Sequence, residues 1–294
     1  MLDRLLDVKT FFLSLLLEAI PFVLMGVFFS ALLQTFVTPE QVKRWTPKSP
    51  LIAIPFAGVL GFLFPVCECG IVPVVRRLIQ KGMPVPVGIV FLLAGPVVNP
   101  IVLASTYVAF PRIPEMALNR AVLAFLVAVT VGLILWLTMR KPPLKHGVDR
   151  ELRHEEEHAQ QAHGKLSATF AHAVDEFFDM GKYLLFGAFI SSLIQVFVAR
   201  DALLEIGQTP ISSHLVMMGM AYIFSLCSEA DAFIAASFAG TFTASSLLAF
   251  LVYGPMVDLK STLMLMSTFR FAFVCRLLAL VTVLVLAYTI FLPL

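Results

Sequence analysis

Apolar residues run through this chain in long blocks, and polar residues gather at a few places between them. The first block, Phe11 to Val37, is long enough for a helix to cross a hydrocarbon layer of about 30 Å. An interrupted block follows at 51–81, then one with a Gly-Pro break at 87–110, then an unbroken one at 115–139. The same order returns at 172–198, 213–240, 244–268 and 271–292. This pattern predicts an all-α polytopic membrane bundle of about eight hydrophobic segments. The interrupted pair reads either as full crossings or as re-entrant hairpins.

The second series matches the first in its polar punctuation. "LEAIPFVLMGVFFSALLQTFV" (17–37) aligns with "FDMGKYLLFGAFISSLIQVFV" (178–198), with Leu24, Gly26, Phe28, Ser30, Leu32, Gln34, Phe36 and Val37 meeting identical residues. Glu18 meets Asp179, Cys67 falls near Cys227, and "GPVVN" (95–99) falls near "GPMVD" (254–258). The expected organisation is a membrane repeat over 1–139, a hydrophilic His- and charge-rich linker over 140–170, and a second repeat over 171–294. Secondary transporters are commonly built this way, with the site at the repeat interface.

The linker carries Arg140, Lys141, Lys145, Arg150, Arg153 and Lys165, which the positive-inside rule assigns to the cytoplasm. Four crossings per half then place both termini there too, with Arg76, Arg77 and Lys81. Lys43, Arg44 and Lys48 fall on the opposite face, against the rule. His154 and His158, with Glu151 and Glu155, have a spacing suited to a divalent cation. A solvated helix of alternating charge is the simpler account.

Composition narrows the class. The chain is 59% hydrophobic and 14% charged, far from a soluble enzyme domain. A net charge of +2 gives no reason to expect nucleic acid. The 4 cysteines, mostly in apolar stretches, do not resemble a secreted disulfide framework. The mixed charges Asp3, Arg4, Asp7 and Lys9 and the long first block argue against a cleaved signal. No G-x-x-x-x-G-K-[ST] loop is present, so no ATPase motor is expected in the chain itself.

The breaks carry the candidate chemistry. In "AGPVVNP" (94–100), Gly95-Pro96 is a helix stop, and Asn99-Pro100 is a cap followed by a proline at the first helical position. Gly254, Pro255 and Asp258 repeat the design. Broken backbone in a bilayer is tolerated where it is buried in protein or lines a cavity, so Asn99 and Asp258 are candidate substrate-site residues. In "FPVCECGIVP" (64–73), Pro65, Gly70 and Pro73 favour extended backbone, which would turn Cys67 and Cys69 to one side with Glu68 opposed. "SLCSEADAF" (225–233) adds Cys227, Glu229 and Asp231. Around a shared axis these residues make a thiol and carboxylate site, with Cys67, Cys69 and Cys227 as ligands for a soft metal or metalloid. Cys275 reads as core filler. Arg120, Arg270 and Arg276, near the starts of the last spans, are expected to reach lipid headgroups. Glu18 and Asp179 read as interfacial residues.

Taken together, the duplicated organisation, "PVCECGIVPV", "AGPVVNP" and "CSEADAF" resemble the ArsP/YraQ-type predicted permeases over nearly the whole chain outside 140–165. The resemblance implies a permease, in some members one that exports trivalent organoarsenicals through membrane cysteines, and in others one subunit of a two-part permease. It makes Cys67 and Cys69 candidate ligands and Asn99 the polar residue of the break. Glu68 stands where the family commonly has serine, which leaves a cation or proton-coupled substrate open.

The expected function is therefore a secondary permease of the cell membrane and not an enzyme. It would export a soft thiophilic solute, with proton coupling through Glu68, Glu229, Asp231 or Asp258. No cofactor is expected beyond a soft metal or metalloid as substrate. The expected partners are the bilayer, a small solute or ion, a second membrane subunit and a homo-oligomer mate. The alternatives are a membrane thiol oxidoreductase using Cys67 and Cys69, and a subunit inactive alone.

Overall fold

The computed structural model describes residues 2–47, 49–63, 67–139, 165–197 and 209–291. The His-rich part of the linker lies outside them. Among the described residues the fold is all-α. The first half holds α1 (Leu2–Phe36), α2 (Pro39–Trp45), α3 (Pro50–Leu63), α4 (Glu68–Gln80), α5 (Val85–Ala94), α6 (Pro100–Ala109) and α7 (Glu115–Thr138). The second holds α8 (Lys165–Phe197), α9 (Pro210–Phe224), α10 (Asp231–Ser237), α11 (Ala244–Met256), α12 (Leu259–Thr268) and α13 (Phe271–Phe291). Helix α8 thus begins inside the stretch expected to be linker. Among the described residues five stretches are long and apolar enough to cross a membrane: Leu5–Phe36, Glu115–Thr138, Ala173–Phe197, Ala244–Thr268 and Phe271–Phe291. Large side chains such as Leu17, Leu137 and Phe178 point outward, as they can where lipid is the solvent.

Helices α1 and α8 pack together along much of their lengths. Phe12 meets Phe189 near one end, and Ser30 donates to Glu176 Oε2 at 2.6 Å near the other. Residue numbers rise on one helix as they fall on the other, so the pair is antiparallel. The start of α1 and the start of α8 therefore lie at opposite faces of the bundle. The expectation that the N-terminus and the linker share a face is corrected by this contact pattern.

Helices α1 and α4 run in parallel. A Cβ on Gly26 would stand 2.3 Å from Gly70 O, so only glycine permits this approach. Ser30 reaches the Pro73 carbonyl, and the Lys81 ammonium binds the carbonyls of Gln34 and Val37 at the end of α1. Helix α3 runs against α4. Gly61 and Ile71 both touch Gly95, while Val75 and Ile79 pack on Gly88 at the other end of α5. Helices α3 and α4 are thus the two legs of a splayed hairpin that leaves and rejoins the same face, with α5 between them. The full-crossing reading of this segment is set aside. Lys43 of α2 covers Gly82, so the 38–49 connection shares the face reached by α4. Helix α7 is antiparallel to α3, with Gly58 on Phe125 and Gly132 on Ile54, and its end reaches that face as well. Lys43 and Arg44 therefore lie on the linker face, not opposite it. The count of four crossings per half had misplaced them.

Candidate functional site

The interior holds two chain ends that come to a point. At the first, Cys67 is the N-cap of α4, with φ −72° and ψ 170°, and Glu68 and Cys69 are already helical. The N–H groups of Gly70 and Ile71 close the first turn on Cys67 O, each at 3.1 Å. The extended backbone expected across 67–69 is thus confined to Cys67. Pro73 sits within the helix, where its missing N–H deprives the Cys69 carbonyl of its helical donor. Cys67 and Cys69 nonetheless lie within reach of one another, although the Cys67 side chain makes no capping hydrogen bond. Cys67, Glu68 and Cys69 are all buried.

At the second point Ser225 takes a left-handed conformation (φ 48°), and Cys227 O accepts from the N–H groups of Ala230 and Asp231 at 3.0 Å. The Cys227 thiol donates to Glu229 Oε2 at 2.6 Å. Ser225 Oγ accepts from Leu259 N–H at 3.2 Å, tying this tip to the break before α12.

Both breaks are capped as their sequences predict. Asn99 Oδ1 accepts from Ile101 N–H at 2.9 Å. Asp258 Oδ1 accepts from Ser261 N–H at 2.6 Å, and Ser261 Oγ accepts from Asp258 N–H at 3.0 Å. They differ upstream. Helix α5 stops at Ala94, before the Gly-Pro pair, whereas α11 runs through Gly254 and Pro255 to Met256. The Gly-Pro signal therefore stops only the first, and the capped residue marks the break in both.

The two halves meet at these points. Helices α4 and α12 are in contact. Glu68 lies within electrostatic reach of Cys69, Asp258 and Lys260, and Cys227 lies within reach of Cys67 and Glu68. Cys67, Glu68, Cys69, Cys227 and Asp258 are thus grouped, with Glu229 joined through Cys227. Glu68 Oε2 and Asp258 Oδ2 are buried without a hydrogen-bond partner. Among the described residues, no three His, Cys, Asp or Glu side chains stand close enough to hold one metal ion. A cavity of about 310 Å³ between α1 and α5, lined by Phe29, Leu33, Phe56, Leu60 and Phe91 among others, is apolar and contains none of the site residues.

Asp231 does not join the thiols by a direct bond. Its Oδ2 pairs with Arg120 at 2.7 Å, and Arg120 also donates to Thr106 Oγ1 at 2.8 Å and Ser228 O at 3.2 Å. Arg120 is fully buried, which corrects its assignment to the headgroups: an acid from the other half meets it inside the bundle. Arg76 and Arg77 likewise lie inside, facing Asp179 at 3.3 Å and Glu176 at 3.6 Å on α8. Arg270 and Arg276 are exposed.

Lys260 escaped sequence reasoning. It is 3% exposed, its Nζ is 3.9 Å from Asp258 Oδ2, and Cys69, Glu68 and Cys227 all lie within its electrostatic reach. The signal was available, since a lysine two residues past a cap inside an apolar stretch is a site candidate in itself.

The model of a family described as a predicted permease, ArsP_1, matches residues 4–292. The UPF0718 protein YcgR of Bacillus subtilis is 46% identical over 96% of this chain and 95% of its own length. A Streptococcus mutans protein named a putative two-component membrane permease complex subunit is 38% identical over 94% of this chain and 92% of its own. No solved structure matches.

Proposed function

This chain belongs to the ArsP_1 predicted permease family, and from that premise we propose that it exports a soft, thiophilic solute through the site formed by Cys67, Glu68, Cys69, Cys227 and Asp258. The observation that carries the proposal is that Cys227 lies within electrostatic reach of Cys67 and Glu68 across the two halves, beside two buried carboxylate oxygens with no hydrogen-bond partner. Soft sulfur donors select thiophilic metals, metalloids and thiol-reactive molecules. Glu229, Asn99 and Asp231 support the site: Glu229 holds Cys227, Asn99 caps the first break, and Asp231 fixes the second tip through Arg120.

The proposed architecture is a pair of inverted repeats, 1–139 and 171–294, joined by the 140–170 linker. The antiparallel run of α1 against α8 supports it. Each repeat then has an odd number of crossings and one hairpin, which places the linker and the N-terminus on opposite sides. Lys43, Arg44, Lys81 and the linker's basic residues share one face, and Arg4, Lys9 and Arg112 flank the other, so the linker face is cytoplasmic. In the transport cycle the α1–α8 pair moves from its seat on α4 and α12 to the corresponding surface of α6 and α10. A second membrane subunit completes the permease, as the name of the Streptococcus mutans relative suggests for that protein.

The test is uptake of a trivalent organoarsenical and of Cd²⁺ into everted membrane vesicles, with and without Cys69→Ser. Loss of uptake at unchanged protein level is expected. Equal uptake by the variant for every thiophilic probe would overturn the reading.

A further inference from the structure

We infer that Lys260 is a tethered cation holding the place of the transported ion, so that the solute class is a soft metal cation that must displace it. The inference rests on the site reading above and adds the charge of the solute.

The grouping of charges carries it. Helices α4 and α12 are in contact, and each has a carboxylate at its start, Glu68 in the first turn of one and Asp258 as the cap of the other. A carboxylate suits a helix N-terminus, but two of them buried beside three thiols form an environment short of positive charge. Lys260 supplies it. Its ammonium lies beside Asp258 and within electrostatic reach of Glu68, Cys69 and Cys227, and its backbone is wedged under α8, where a Cβ on Gly187 would stand 3.0 Å from Lys260 Cα.

The fit is incomplete in an informative way. The ammonium stands 3.9 Å from Asp258 Oδ2, outside hydrogen-bond range, and both Asp258 Oδ2 and Glu68 Oε2 remain without a partner. One charge on a flexible stem offsets part of the cluster's negative charge without satisfying its oxygens. A metal cation accepts several oxygen and sulfur donors at once and would satisfy more of them. Among the described residues no three His, Cys, Asp or Glu side chains stand close enough to hold one ion, so an incoming cation would have to draw the donors together. The lysine gives the empty carrier a partly neutralised site, and its return ejects the ion.

The experiment is Cd²⁺ titration of purified full-length protein in detergent, in a Cys275→Ser background because Cys275 is exposed and free. Lys260→Met should bind Cd²⁺ at least ten-fold more tightly than the parent, about 1.4 kcal/mol. Lys260→Arg, which keeps the charge, should stay near the parent, and Glu68→Gln should weaken binding. If Lys260→Met does not fold, Lys260→Gln carries the same expectation. A folded Met or Gln variant with parental or weaker affinity would overturn the inference. Vesicle uptake reads the site separately: a Cys69-dependent uptake with no affinity gain removes only the role of Lys260. An affinity gain without any Cys69-dependent uptake removes only the permease site as drawn.

Discussion

Helices α4 and α12 make one surface and α10 and α6 another, counterparts under the proposed repeats, yet only the first is covered by α1 and α8. Helices α1 and α8 lie along α4 and α12, and neither packs comparably on α6 or α10 among the described residues. On α12 six residues are buried, Lys260, Ser261, Thr262, Met264, Leu265 and Thr268, whereas on α6 only Val102 and Thr106 are. The second residue after each cap shows the contrast most sharply: Lys260 is 3% exposed and Ile101 is 54% exposed. Helices that begin from similarly capped breaks thus sit in unlike environments. In the proposed cycle those environments exchange.

The largest effect should come from what joins the halves on the uncovered side. Arg120→Met leaves Asp231 buried without its ion-pair partner, a loss of about 3–5 kcal/mol. Little folded protein should survive extraction from the membrane, and adding Asp231→Leu should recover part of it, read by thermal unfolding in detergent. An Arg120→Met protein as stable as the parent would mean that α6, α7 and α10 are not clamped there.

Next comes the covered side. Gly26→Val drives a side chain into the Gly70 backbone, an overpacking cost of about 1–3 kcal/mol. The protein should insert, with transport reduced at least ten-fold because α1 cannot take its seat. Normal transport by this variant would show that the covered surface plays no part in the cycle.

Asp258→Ala and Asn99→Ala remove caps worth about 1 kcal/mol each. Thermal midpoints should fall by similar amounts. Transport should fall much further for Asp258→Ala, whose carboxylate also faces Lys260, than for Asn99→Ala. Equal transport losses would place both residues in the same structural role.

What could be read from the chain in advance divides along physical lines. Caps, breaks and the two cysteine tips were legible because they are set by residues within a few positions of one another. The unwinding assigned to Cys67–Cys69 failed because proline and glycine weaken a helix without forbidding its first turns. Arg120 was misplaced because its partner, Asp231, lies in the other half, and local spacing carries no sign of a distant acid. Crossing direction was hidden for a similar reason: hydropathy gives the length of a segment, whereas its direction emerged from Phe12 on Phe189 and Ser30 on Glu176.

A smaller change probes the uncovered surface itself. Ile101→Trp should leave the thermal midpoint within about 0.5 kcal/mol of the parent, as expected at an exposed site. It should slow transport, because it obstructs the surface to which α1 moves. Deleting 146–163 should change least of all, leaving insertion and transport near normal in the vesicle assay. Transport lost from an inserted deletion variant would assign the linker a working role.

The central claim, that thiols from both halves share one site, is tested most directly by bridging Cys67 to Cys227. In membranes bearing Cys69→Ser and Cys275→Ser protein, a trivalent arsenical or a short bifunctional thiol reagent should link the two residues within one chain, seen as a single cross-linked peptide by mass spectrometry. Two thiols that each react with a monofunctional reagent yet never bridge in the folded protein would contradict the account.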